Sequence, residues 1–140
     1  MTAPLPTWEL PVTPTLVVST AIATRDFQDV HHDRDLAQGH GSRDIFLNIL
    51  TTTGLVQRYV GEWARVAVGP DFRITGCGLR LGAPAYPGDT LSFSGTVTDD
   101  AGGAVVVAVE ATVRPTSGTI NGDHRQPLPR HVNATVTVAR

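Results

Sequence analysis

The stretch Asp44-Ile45-Phe46-Leu47-Asn48-Ile49-Leu50-Thr51-Thr52-Thr53-Gly54-Leu55-Val56-Gln57-Arg58-Tyr59-Val60-Gly61-Glu62-Trp63-Ala64-Arg65-Val66 decides the fold. Its apolar residues Ile45, Phe46, Ile49, Leu50, Val56, Tyr59, Val60 and Trp63 recur three and four apart, and Leu47 and Leu55 widen the stripe. That is the period of a helix with a core-facing side. So broad a stripe predicts one long helix from about Asp44 to Val66, buried on most of its sides, and Gly69-Pro70 ends it.

Beyond that break the pattern becomes strand-like. Phe72 to Leu81, Thr90 to Thr98, Ala104 to Val113 and His131 to Ala139 read as strands separated by turn signals. Asp99-Asp100-Ala101-Gly102-Gly103 reads as a tight hairpin, and Pro115 to Pro129, rich in Gly, Pro, Asn and Asp, as a long surface loop. The run Val105 to Val113 is apolar enough for a central strand covered on one face by the helix, with its partners on either side. On the N-terminal side, β-branched Thr15 to Ile22 reads as a strand after a Pro-punctuated start. Asp33 or Asp35 caps a short helix through Leu36 and Ala37, which Gly39-His40-Gly41 ends.

These elements predict an α+β fold: a curved, mainly antiparallel sheet of about five strands wrapped around one long central helix. At 140 residues the chain suits a single domain, residues 1–140, and is too short for two. An open sheet edge and an exposed helix end favour pairing with a second similar unit, so an oligomer is expected.

Composition excludes several functions. Eleven basic against 13 acidic residues give a net charge of −2 without a basic stretch, which argues against nucleic acid or an anionic membrane surface as partner. All eleven cations are Arg, a usage that genome composition or thermal adaptation explains as readily as function. Cys77 is the only cysteine, so no disulfide framework forms within the chain and a reducing compartment is expected. Met1 to Pro14 lacks the pattern of a signal peptide, and no apolar run approaches the ~20 residues of a membrane span. A cytoplasmic location is expected.

The chemistry-bearing run is Arg25-Asp26-Phe27-Gln28-Asp29-Val30-His31-His32-Asp33-Arg34-Asp35. An acid and an imidazole at Asp26 and His31, separated by four residues in a short turn, can hold one water between them, which is the equipment of a hydratase. Which of the two is the base is open at this level, because their titrations are coupled. The N-terminal end of a long buried helix adds unpaired N–H donors and a positive dipole end for an enolate oxygen.

Asp26-x-x-x-x-His31, followed by Asp33, Leu36, Ala37, Gly41, Arg43 and Ile45 and then by Leu79-x-Leu81-x-x-Pro84-x-x-x-Gly88-Asp89-Thr90, resembles the MaoC-like, hydratase-2 type of hot-dog-fold enoyl-CoA hydratase over roughly Thr20 to Val97. Two positions depart from the family pattern. Gln28-Asp29 stands where the family has Asn-Pro, and Leu47-Asn48 where it usually has His-Gly. Within the family, Ser19 to Asp35, Asp44 to Leu50, Gly54 to Val60 and Gly78 to Gly82 resemble the catalytic small subunit of the heteromeric hydratases of sterol side-chain degradation.

The resemblance implies Asp26 and His31 as the catalytic pair, the Asn48 backbone N–H as oxyanion donor, and Arg43 and Gly41 as substrate-binding positions. No cofactor beyond the CoA of the substrate is implied, and no metal. A second MaoC-like subunit is implied as partner, two of each chain in a heterotetramer. The implied substrate is a steroid acyl-CoA with a three-carbon side chain unsaturated to ring carbon 17. Hydration then yields a tertiary alcohol suited to aldol cleavage by a downstream aldolase or thiolase-like partner.

Plainer readings stand beside these. Asp26 serves equally as a turn or capping residue and His31 as a packed histidine. His31, His32, Asp33 and His40 as metal ligands would need adjacent turn residues to converge and lack a second cluster. Asp29 suits a solvent-facing turn, Arg43 an ion pair with Asp44 or another acid, and Gly88-Asp89 a turn before a strand. Cys77 suits a buried apolar role, and Tyr86 and Trp63 suit packing or an interface. His124 and His131 carry no motif. A thioesterase using a carboxylate and the same helix-end donors, and a noncatalytic subunit completing a partner's cleft, are the rival functions.

Overall fold

A computed structural model describes residues 3–115 and 127–140. Among the described residues, six antiparallel strands form one sheet: β1 Ala3–Pro4, β2 Trp8–Pro11, β3 Arg73–Leu81, β4 Thr90–Ala101, β5 Ala104–Arg114 and β6 Arg130–Ala139. The order is β1-β4-β5-β6-β3, and β2 also pairs with β4 beside β1. The expected central strand is central: β5 lies between β4 and β6. Four of the five expected strands are present as β3 to β6, the fifth, Thr15–Ile22, is helical, and the two N-terminal strands were not expected. They are short, two and four residues, and Pro-flanked, and they form because β4 offers them a straight edge from Thr90 to Val97.

Three helices precede β3: α1 Pro14–Ala23, α2 Arg34–Gly39 and α3 Ile49–Ala67. The strand expected over Thr15–Ile22 is α1. Helix wins over β-branched propensity because Pro14 fixes the first turn, Thr13 Oγ1 caps the Leu16 N–H at 3.0 Å, and Val17 and Ala21, four apart, bury one side. Thr20 and Thr24 also satisfy their hydroxyls on Leu16 and Thr20 carbonyls of the same helix.

The long helix starts at Ile49, not near Asp44. Ile45, Phe46 and Leu47 keep apolar spacing but run extended, because the Asn48 side chain caps α3 and starts it there. Nor is α3 buried on most sides. Thr52, Val56, Val60 and Ala64 face the sheet, whereas Leu50 is 54% and Val66 88% exposed. The buried face meets alternate residues of β4, β5 and β6, among them Leu91, Phe93, Val107 and Val136, all fully buried. Each such side chain contributes about 1.5–3 kcal/mol by leaving water. Register shifts leave Thr75 of β3, Thr98 of β4 and His131 of β6 as the extra residues of bulges, which bend the sheet.

The Asp99–Gly103 hairpin forms as expected, with Gly102 and Gly103 both at positive φ. Asp33 caps α2 through the Leu36 N–H, and Gly41 at φ 89° follows its end. Most of the expected loop Pro115–Pro129, with His124, lies outside the described residues. No helix among the described residues is long and apolar enough to cross a membrane.

Candidate active site

Helix α1 delivers Asp26. Its C-terminus closes with the Arg25 N–H on the Ile22 carbonyl (3.0 Å) and the Asp26 N–H on the Ala21 carbonyl (2.9 Å). This double bond pattern requires a left-handed residue, and Arg25 supplies it at φ 55°, a position where glycine is usual. Next comes a 3₁₀ turn, Asp29–His31, whose preceding Gln28 N–H donates to Asp26 Oδ1 at 3.3 Å. His32 Nε2–H donates back to the Asp26 carbonyl at 2.6 Å, so both ends of the turn are tied down.

His31 is buried, and its ring nitrogens have distinct partners. Nδ1 lies 2.7 Å from the Phe46 carbonyl, which only accepts, so Nδ1 carries the proton. In the neutral ring, Nε2 then holds a lone pair, and it lies 3.4 Å from Asp26 Oδ2. The Phe46 ring meets the imidazole edge-on at 4.9 Å, and the Phe46 N–H donates to the Val30 carbonyl. The extended segment before α3 thus fixes the imidazole from two sides.

Asn48 joins the helix to the pair. Its Oδ1 accepts from the Thr51 N–H at 2.8 Å, which sets the amide orientation. The Nδ2 group therefore faces Thr24 Oγ1 at 2.8 Å and Asp26 Oδ2 at 3.1 Å. Among the described residues, none accepts from the Asn48 backbone N–H. Partial burial pushes the Asp26 carboxyl up, but the Asn48 amide, the Gln28 N–H and the neighbouring His31 and His32 outweigh it and hold it below the usual carboxylate value.

Asp26, His31 and Asn48 are thus brought together, and Arg43 and Gly41 are not bonded to them. The Arg43 guanidinium lies 4.3 Å over the Tyr86 ring and 3.9 Å from Asp89 Oδ1, so its acid is Asp89, while Asp44 sits 3.9 Å from Arg34. Gly41 is exposed behind α2. Gly88 at φ 96° and Asp89, whose Oδ2 accepts the Tyr86 N–H, make the turn before β4. His40 lies 3.5 Å from Asp29, and no three His, Cys, Asp or Glu among the described residues are placed to hold a metal. Cys77 is half-buried in β3, and burial raises its thiol.

Sequence reasoning missed the side-chain part of Asn48, the bracing by Thr24 and His32, and the buried His131. An Asn directly before a helical run signals a cap, which would have found Asn48. Nothing local marks the others.

A family model described as MaoC like domain matches residues 2–119. The chain belongs to the MaoC-like domain family. This MaoC-like chain is 51% identical over 137 residues to the 3-oxo-4,17-pregnadiene-20-carboxyl-CoA hydratase beta subunit of Mycobacterium tuberculosis, covering 98% of this chain and 93% of that protein. A chain in the crystal structure of the ChsH1-ChsH2 complex from Mycobacterium tuberculosis superposes with a TM-score of 0.83 at 50% identity, over 98% of this chain and 94% of that one. The R-hydratase PhaJ1 of Pseudomonas aeruginosa, at 16% identity, shares the hot-dog fold with a TM-score of 0.72, over 99% of this chain and 79% of that one. The MaoC-like chain is thus a hot-dog fold in which a six-stranded sheet packs on α3.

Proposed function

We propose that this chain is the catalytic subunit of a heteromeric enoyl-CoA hydratase that adds water to a steroid acyl-CoA thioester. The substrate carries a three-carbon side chain with its double bond to ring carbon 17, and the product is the tertiary alcohol, which suits aldol cleavage by a downstream aldolase or thiolase-like enzyme. One observation carries the reading: the His31 Nε2 lone pair and the Asp26 carboxylate oxygen face each other at 3.4 Å beside the N-terminus of α3.

Water adds to an unsaturated thioester when its proton is taken as oxygen attacks and when the enolate oxygen is stabilised. A carboxylate held below its usual pKa is a weaker base than an imidazole, so Nε2 takes the water proton while Asp26 orients the water. The Asn48 N–H and the positive end of α3 receive the enolate oxygen. The pair then returns a proton to the α carbon, and no net charge is left on the protein. Arg43, more than half exposed, and Gly41 are the substrate-contact positions in this reading.

A second MaoC-like subunit, two of each chain, completes the assembly. Support comes from bare apolar side chains next to the site along the chain: Ile22 (53% exposed) and Phe27 (69%) on either side of Asp26, and Ile49 (51%) and Leu50 (54%) directly after Asn48. The printed names of the Mycobacterium tuberculosis relatives, a beta subunit and a complex of two components, support a second subunit.

The test mixes the chain with a MaoC-like partner and follows loss of enoyl-thioester absorbance on steroid and straight-chain substrates, for wild type and His31→Ala. Steroid hydration that needs both chains and falls about 10²–10⁴-fold in the variant is expected. Release of free CoA thiol instead identifies a thioesterase. Full activity in both His31→Ala and Asp26→Asn assigns the chain a noncatalytic role.

A further inference from the structure

His131, at the start of β6, is 3% exposed and lies 79 residues along the chain from Thr52, yet the two side chains meet at 2.8 Å inside the core. The other ring nitrogen, Nδ1, donates to the Ala83 carbonyl at 2.7 Å, so Nε2 is the acceptor and the Thr52 hydroxyl the donor. Burial holds this imidazole below its ordinary pKa, in keeping with a neutral ring. Three elements converge on one side chain: α3, β6 and the segment between β3 and β4.

That segment leads to the active site. Gly82 and Ala83 donate to the His131 and Arg130 carbonyls, both at 2.8 Å, and a Cβ at Gly82 would collide with the Arg130 carbonyl oxygen. Two residues on, the Ala85 carbonyl accepts the Leu47 N–H at 3.2 Å. Leu47 precedes Asn48, whose amide holds Asp26. Thr52 lies four residues after Asn48, and its own N–H donates to the Asn48 carbonyl. The lead-in to α3 is therefore clamped on one side by Ala85 and on the other by the Thr52 hydroxyl, and His131 is the common anchor of both.

We propose that His131 and Thr52 form a buried latch that positions the N-terminal end of α3, and with it Asn48, against the Asp26–His31 pair. His131 is a positioning residue. It acts through Thr52 and the Gly82–Ala85 segment, without touching the water or the thioester. The consequence for rate rests on the hydratase reading; the consequence for structure does not.

The experiment uses Thr52→Val, which keeps shape and removes the hydroxyl, Thr52→Ser, which restores it, and Thr52→Ala as a second removal. Each chain is assayed with its partner for enoyl-thioester hydration and, separately, for amide hydrogen exchange. In Thr52→Val and Thr52→Ala we expect exchange at positions 47, 51 and 52 to rise at least about tenfold over the rest of the chain. The same variants should lose about ten- to a hundredfold in kcat with KM nearly unchanged, since small misplacements cost rates of that order. Ser should behave as wild type. A uniform rise in exchange with kcat per folded molecule unchanged, or a Ser variant as impaired as Val, overturns the latch. If wild type hydrates no enoyl thioester, the hydratase reading fails and the exchange pattern alone decides for or against the latch.

Discussion

Asn48 Nδ2 lies 3.1 Å from Asp26 Oδ2, while the opposite end of the same amide caps α3 through the Thr51 N–H. One side chain therefore starts the helix and holds the acid. Asn48→Asp separates the two jobs: Asp is as good a cap as Asn, but it replaces a donor with a second negative charge beside Asp26. The added negative charge favours protonation of the coupled pair, the Asp26 carboxyl included, so the acidic limb of the hydration rate should move to higher pH. We expect kcat at neutral pH to fall at least about tenfold with thermal midpoint nearly unchanged. A pH–rate profile beside a melting curve checks both.

Arg25 occupies a left-handed position at φ 55° that closes α1 and aims Asp26. A side chain there costs roughly 1–2 kcal/mol, part of which glycine forfeits through its freer unfolded chain. Arg25→Gly should stabilise the fold by about 0.5–1 kcal/mol in urea unfolding, the difference of those opposing effects. A destabilised variant would mean that the arginine side chain itself supports the turn.

The lowered imidazole of His131 makes stability depend on pH with a definite sign. On acidification the unfolded chain takes the proton first, near its ordinary value of about 6.5, while the folded ring resists. Its contribution is whole above that value and is lost as pH falls toward the folded pKa. Urea unfolding free energies should therefore drop between neutral pH and the weakly acidic range, and His131→Gln should flatten that drop.

Thr51 Oγ1 is buried and, among the described residues, has no hydrogen-bond partner. Leaving a hydroxyl dry and unpaired costs about 1–3 kcal/mol, so Thr51→Val, which keeps the β-branch and the capped N–H, should raise the urea midpoint. A lowered midpoint would show that the hydroxyl is satisfied in solution.

Much of the sheet was legible because runs rich in Val, Thr and other strand formers lie between Gly, Pro and Asp turn signals, and Val105 to Val109 is apolar throughout, as a central strand requires. The residues before Asn48 were misread because Ile45, Phe46 and Leu47 fit a helical spacing that nothing local contradicts. Thr15–Ile22 were misread because β-branched residues favour strands in isolation, and here a Pro-started, Thr-capped turn over Val17 and Ala21 prevailed. The acid and the imidazole were visible because they sit five residues apart on one turn. Thr24, Thr52 and His131 were not, since their contacts span 24 to 79 residues of sequence.

Strand β4 carries β1 and β2 along its outer side from Thr90 to Val97, whereas β3 ends the other side of the sheet without a neighbour among the described residues. Such a sheet has one socket and no matching plug. The short, Pro-containing β1 and β2 offer little for another chain to pair with, so joining through β3 uses up the one long bare edge of each molecule, and growth by this route halts at two. The residues ahead of α1 thus act as chain terminators, turning what would be a seed for fibrils into a particle of fixed size.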